Sequence, residues 1–134
     1  MEKSLNLSLL FYPSRATKSV IYSIDIINDS LIIKTNWRAG NKEHRGKLTD
    51  EQYSEIEKMI SALTQKYDRT GFYAYDVWGC TLEIDNQVYY EDNHFDLIPR
   101  SKENYPPPIP EEIKLLINYI VSLSPIPIVL FGFA

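Results

Sequence analysis

The residues best suited by type and spacing to do chemistry run from Glu91 to Asp96, Glu-Asp-Asn-His-Phe-Asp. In an extended chain Asp92, His94 and Asp96 project from one face. Two carboxylates beside an imidazole could bind a divalent cation weakly or raise the basicity of the ring. The commoner arrangement is an acidic loop after a strand, with His94 in an ordinary polar contact, so no metal is expected. Asp76 and Glu83 fall in strand-like stretches and would make a paired-carboxylate site if they shared a register. Acids on the wet side of a sheet, beside Lys or Arg, are the expected alternative. His44 lies between Glu43 and Arg45 in a basic stretch, where neighbouring cations disfavour another cation. Ser14, Ser61 and Ser101 have no partner pattern for nucleophilic catalysis. There is no His-Glu-x-x-His, no phosphate-cradling glycine loop and no nucleophile elbow. One cysteine and two histidines cannot assemble the common structural zinc sites within a single chain. The sequence therefore points away from an enzyme and implies no cofactor.

The elements that would position these residues belong to one domain, since 134 residues is an ordinary single-domain length. The chain is 44% apolar and 24% charged, as in ordinary globular proteins. A net charge of -4 argues against a nucleic-acid binder, which needs a basic footprint. Cys80 is the only cysteine, so no intrachain disulfide forms, and a buried role is the usual one for a lone thiol. The apolar run Leu5–Tyr12 is short and broken by Asn6 and Ser8, unlike a signal peptide. Cytoplasmic residence is expected, unless a leader has been removed. The apolar run 126–134 is too short to span a bilayer, and no membrane insertion is expected.

Alternation predicts strands over 5–12, 20–27, 30–37, 72–78, 80–84 and 87–91. Leu5, Leu7, Leu9 and Phe11 share one face of the first, and Val20, Tyr22, Ile24 and Ile26 one face of the second. Asn28-Asp29 and Asp85-Asn86 suit tight hairpin turns, and Gly79 suits a bulge or turn. Residues 38–48 read as a polar loop at a hairpin tip. Thr49 and Gln52 have capping-box spacing, with Leu48 and Tyr53 placed as a hydrophobic staple. A helix over about 50–66 follows, with Tyr53, Ile56, Ile60, Leu63 and Tyr67 as its apolar stripe. The prolines at 99, 106, 107, 108 and 110 make 99–110 a stiff connector. Ile113, Leu116, Ile117, Ile120 and Val121 mark a second helix, which Pro125 and Pro127 end. Residues 128–133 fit a terminal strand or a hydrophobic plug. The expected fold is α+β, an antiparallel sheet of about five or six strands with two helices on one face, in the order β-β-β-α-β-β-β-α-β.

Two surface features remain. Residues 38–48 carry Arg38, Lys42, Arg45 and Lys47 against the single acid Glu43, a basic stretch in an acidic chain. Trp37 beside it could anchor a contact. Ten tyrosines include Tyr73, Tyr75, Tyr89 and Tyr90, and aromatic side chains of this kind serve both sheets and interfaces. The expected function is a non-enzymatic protein-binding module, of inhibitor or immunity type, with Trp37, Arg38, Lys42, Arg45, Tyr73, Tyr75 and Tyr90 at the contact. The alternatives are a small-molecule or glycan site against the proline-rich segment, and an unrecognised enzyme using Asp76/Glu83 or Asp92/His94/Asp96. A structural or oligomerisation module is a further class, and the oligomeric state is not legible.

The stretch Lys47-Leu48-Thr49-Asp50-Glu51-Gln52-Tyr53-Ser54-Glu55-Ile56 follows a hairpin and precedes further strands and a short terminal helix. Over roughly residues 20–123 this resembles small uncharacterised bacterial α+β domains, some of them similar to protease inhibitors or associated with lipoproteins. The resemblance implies the fold class and assigns no functional residue.

Overall fold

The sequence alternation of Leu5, Leu7, Leu9 and Phe11 becomes the centre of the core. In the computed structural model, which describes residues 4–12, 22–37, 40–69, 78–95 and 109–126, all four are buried. They lie on or beside β1 (Asn6–Tyr12), which is flanked by β2 (Tyr22–Ile27) and β6 (Trp78–Ile84), both antiparallel to it. From β2 the chain turns through Asn28-Asp29 into β3 (Ser30–Trp37), and Asn28 takes the left-handed conformation at φ 58°. Asn tolerates that region better than most residues. β4 (Gly40–Lys47) folds back on β3, then α1 (Asp50–Ser61) and the short β5 (Tyr67–Arg69) follow. β6 and β7 (Gln87–Phe95) form a hairpin closed by Asp85 and Asn86 at φ 50° and 67°. Two successive positive φ values match the twist of the flanking strands. α2 (Glu111–Ser122) completes the described elements.

The strands make one seven-stranded sheet in the order β4-β3-β2-β1-β6-β7-β5. The expected α+β class stands, and three points of its detail are corrected, the first being that the sheet has seven strands rather than about five or six. The stretch 40–47 is a strand rather than a loop, paired to β3 from Ser30↔Lys47 to Trp37↔Gly40. The sheet is mixed rather than antiparallel, because β5 runs parallel to β7 with Tyr67 opposite Tyr90. Gly79 sits where the β6–β7 register shifts, so the expected bulge is present. The expected strand 72–77, the proline-rich run to residue 108 and the segment 127–134 lie outside the described residues.

One face of the sheet is buried. Tyr22, Ile24, Ile26, Leu31, Ile33, Cys80, Leu82, Ile84 and Tyr90 join the β1 residues in a single cluster with both helices. α1 supplies Tyr53 and Ile56, and α2 supplies Ile113, Leu116, Ile117 and Ile120. Burying an aliphatic side chain of this size stabilises by roughly 1.5–3 kcal/mol, so this face carries most of the fold. Thr49 caps α1 as its spacing predicts: its hydroxyl accepts from the Gln52 amide, and the Gln52 side chain accepts from the Thr49 amide. Leu48 and Tyr53 are both buried. The helix ends at Ser61, earlier than expected, and Tyr67 instead enters the sheet and stacks on Tyr90 with ring centroids 6.0 Å apart.

Candidate functional site

The opposite face of the sheet carries no described helix. Register places its side chains in rows across the strands. One row runs Arg45, Ile32, Asp25, Ser8, Glu83, Val88, and the next Glu43, Lys34, Ser23, Leu10, Thr81, Glu91, Asp68. Cations therefore gather at the β3–β4 end and carboxylates at the β6–β7–β5 end. The middle is built of short side chains.

At the basic end Lys34, Arg45 and Lys47 are exposed on this face, and Lys42, opposite Thr35, is exposed on the other side of β4. Glu43 stands among them. Its carboxylate accepts a hydrogen bond from Arg45 Nε and lies 3.9 Å from Lys34 Nζ. The Arg45 hydrogen bond, with the charges of Arg45 and Lys34, holds the Glu43 carboxyl below its ordinary range. Lys47 Nζ lies 3.7 Å from Asp29. Exposed pairs of this kind contribute at most about 1 kcal/mol each, so they arrange charge more than they hold the fold. Ser23, Lys34, Thr35, Asn36, Asn41, Lys42 and Glu43 line a concavity of about 420 Å³. Its described lining offers ammonium, amide, hydroxyl and carboxylate groups and no aromatic ring. Ligand pockets for small molecules are mostly apolar with a few polar groups, whereas this lining suits the polar side chains of a partner.

Among the residues expected to bind, Lys42 and Arg45 both lie on β4, on opposite sides of the strand. Trp37 ends β3 opposite Gly40, and its side chain lies outside the described residues, as do Arg38, Tyr73 and Tyr75. Tyr90 is a correction: it is 0% exposed and stacked on Tyr67, so it is a core residue and offers no surface to a partner. Tyr89, its neighbour, is half-exposed, with Lys66 Nζ 5.4 Å from its ring centroid.

The candidate catalytic groups are not brought together by what is described. Asp76 and Asp96 lie outside the described residues, and only the backbone of Asp92 and His94 is placed, within β7. Among the described residues no three His, Cys, Asp or Glu side chains gather to hold a metal ion. Glu83 is on the open face across from Ser8 and Val88. His44 belongs to β4 rather than to a loop. It is half-buried, and its Nε2 lies 3.2 Å from where a side-chain carbon on Gly46 would stand. Cys80 is buried at the centre of the sheet. Lys34 was missed by sequence reasoning. Its signal was present, since alternation in 30–37 puts Ile33 in the core and Lys34 outside. No helix among the described residues is long and apolar enough to cross a membrane. Comparison with protein-family models, with curated proteins and with solved structures gives no match.

Proposed function

We propose that the chain is a non-enzymatic protein-binding module that engages an acidic surface of its partner through the β3–β4 end of its sheet. The observation that carries this reading is the reversal of charge there: Lys34 and Lys42 line a polar concavity, and Arg45 and Lys47 add exposed cations on the same strand pair, in a chain of net charge -4. A local patch of opposite sign orients an approaching partner and raises the rate of productive encounter. The negative charge of the whole chain repels a polyanion such as nucleic acid, and this favours a protein with a local acidic patch over a uniformly anionic target. Occlusion of the partner's working surface, as an inhibitor or immunity-type protein achieves it, is the consequence we assign to binding.

The test is affinity capture from the native organism with wild-type bait and with Lys34→Glu/Lys42→Glu bait, both shown to be folded. The expected outcome is one specific protein retained by wild type and lost with the double variant. Retention of that protein by both baits would remove the β3–β4 end as the contact.

A further inference from the structure

We propose that β4 is the seam of a symmetric dimer, in which a second copy of this chain adds its own β4 antiparallel and in register about His44. This goes beyond the partner proposed above and does not depend on it.

The backbone is the first reason. β4 is an edge strand, and eight residues, Gly40–Lys47, pair with β3 along one side only among the described residues. The register continues to Asp29↔Leu48, where the Leu48 amide donates to the Asp29 carbonyl at 2.8 Å. In an antiparallel ladder, opposite residues alternate between bonded and non-bonded pairs. The amides of Gly46, His44, Lys42 and Gly40 therefore face β3, while those of Asn41, Glu43, Arg45 and Lys47 face outward. The outward set is exposed and is available to another strand.

The side chains then select the register. A two-fold axis through His44 places Glu43 opposite Arg45 of the other copy, and Arg45 opposite its Glu43. Both are outward-facing, so the pairs that exchange backbone hydrogen bonds are also the pairs of opposite charge. Asn41 meets Lys47, Lys42 meets Gly46, and His44 meets its own image at a non-bonded position. Neighbouring registers fail in turn. An axis at Glu43 sets glutamate against glutamate, one at Arg45 sets arginine against arginine, one at Lys42 opposes two lysines, and one at Gly46 sets Arg45 against Lys47. Like charges directly opposite destabilise a strand pair. Charged edges normally keep sheets from pairing, and here the same charges disfavour the registers with axes at Lys42, Glu43, Arg45 and Gly46.

Space is available on both faces. The buried cluster ends at β3, where Ile33 is 0% exposed, while Lys42 and Gly46 on the same side of β4 are exposed. A two-fold contact of this kind is isologous and closed. Cations outnumber acids at the seam, so association strengthens as salt rises from very low levels toward physiological strength, where the Debye length is about 8 Å.

Sedimentation of the full chain at physiological salt tests the proposal, with folding of each variant checked by circular dichroism. Wild type is expected at twice the chain mass. Glu43→Arg alone and Arg45→Glu alone each weaken association by about tenfold or more. An equimolar mixture of the two single variants restores a dimer, as does the double exchange within one chain. His44→Cys forms an intermolecular disulfide under mild oxidation, because non-bonded partners have Cα atoms about 4.5 Å apart, and Lys42→Cys does not. A wild-type chain that stays monomeric at concentrations of order 1 mM overturns the proposal. So does a dimer indifferent to both single variants, or equal cross-linking through positions 42 and 44.

Discussion

Glu43 and Tyr90 show how differently two residues toward opposite ends of one sheet can be used. Tyr90 has no exposure and stacks on Tyr67, so its removal leaves a cavity that the core cannot fully close. Tyr90→Ala should cost about 3–5 kcal/mol, whereas Val88→Ala, two residues away and 41% exposed, should cost less than about 0.5 kcal/mol; urea midpoints compare the two. Glu43 is a residue of charge rather than packing. Its folded pKa lies below that of an ordinary glutamate, chiefly through the Arg45 hydrogen bond. A depressed carboxylate pKa stabilises the fold above the unfolded value, and that contribution is lost as pH falls through the folded value. An NMR titration of the Glu43 carboxyl should therefore give a midpoint below that of free glutamate, and Arg45→Ala should move it back up. Tyr90 was legible as an aromatic strand residue and not as an inward-facing one. Tyr89-Tyr90 forces one ring in and one out, and the β6–β7 register shift between Leu82 and Glu83 decides which.

At the scale of elements, the helices and hairpins were readable because their signals are local. The capping box at Thr49 is formed by four consecutive residues, and Thr49→Ala should destabilise the chain by about 1 kcal/mol, seen as a shift in the thermal midpoint. Asn28 and the pair Asp85-Asn86 announced their turns through residue types that accept positive φ. β4 gave no such signal, because Gly-Asn-Lys-Glu-His-Arg-Gly-Lys contains no apolar residue and period-two reading depends on apolar alternation. It is a strand because β3 pairs with it residue for residue, which is a tertiary cause. β5 was hidden for a related reason: it has three residues, and its partner β7 lies about twenty residues further along the chain. Of the candidate site, Lys42 and Arg45 were legible as charge, but their alternation across the two sides of a strand was not.

The whole molecule is a sheet with helices against one face and separated charge on the other. Its centre is β1, whose partner β6 lies some seventy residues later in the chain. The charge separation governs how partners approach. Raising the salt concentration above physiological strength should weaken capture of the acidic partner, mainly by slowing association, as stopped-flow or surface binding would register. Lys34→Glu/Lys42→Glu should remove most of that salt dependence together with the binding. The β4 seam responds differently, since cations outnumber acids there and salt screens that repulsion as it rises toward physiological strength, and the two contacts can be told apart by that difference.

The two margins of the sheet are unequal. Among the described residues β5 presents three residues to a newcomer, while β4 presents eight. Once two such blocks have joined along β4, the longer of these two strands is covered in both. The asymmetry thus works against fibrous stacking, the hazard that any long, unpaired strand carries.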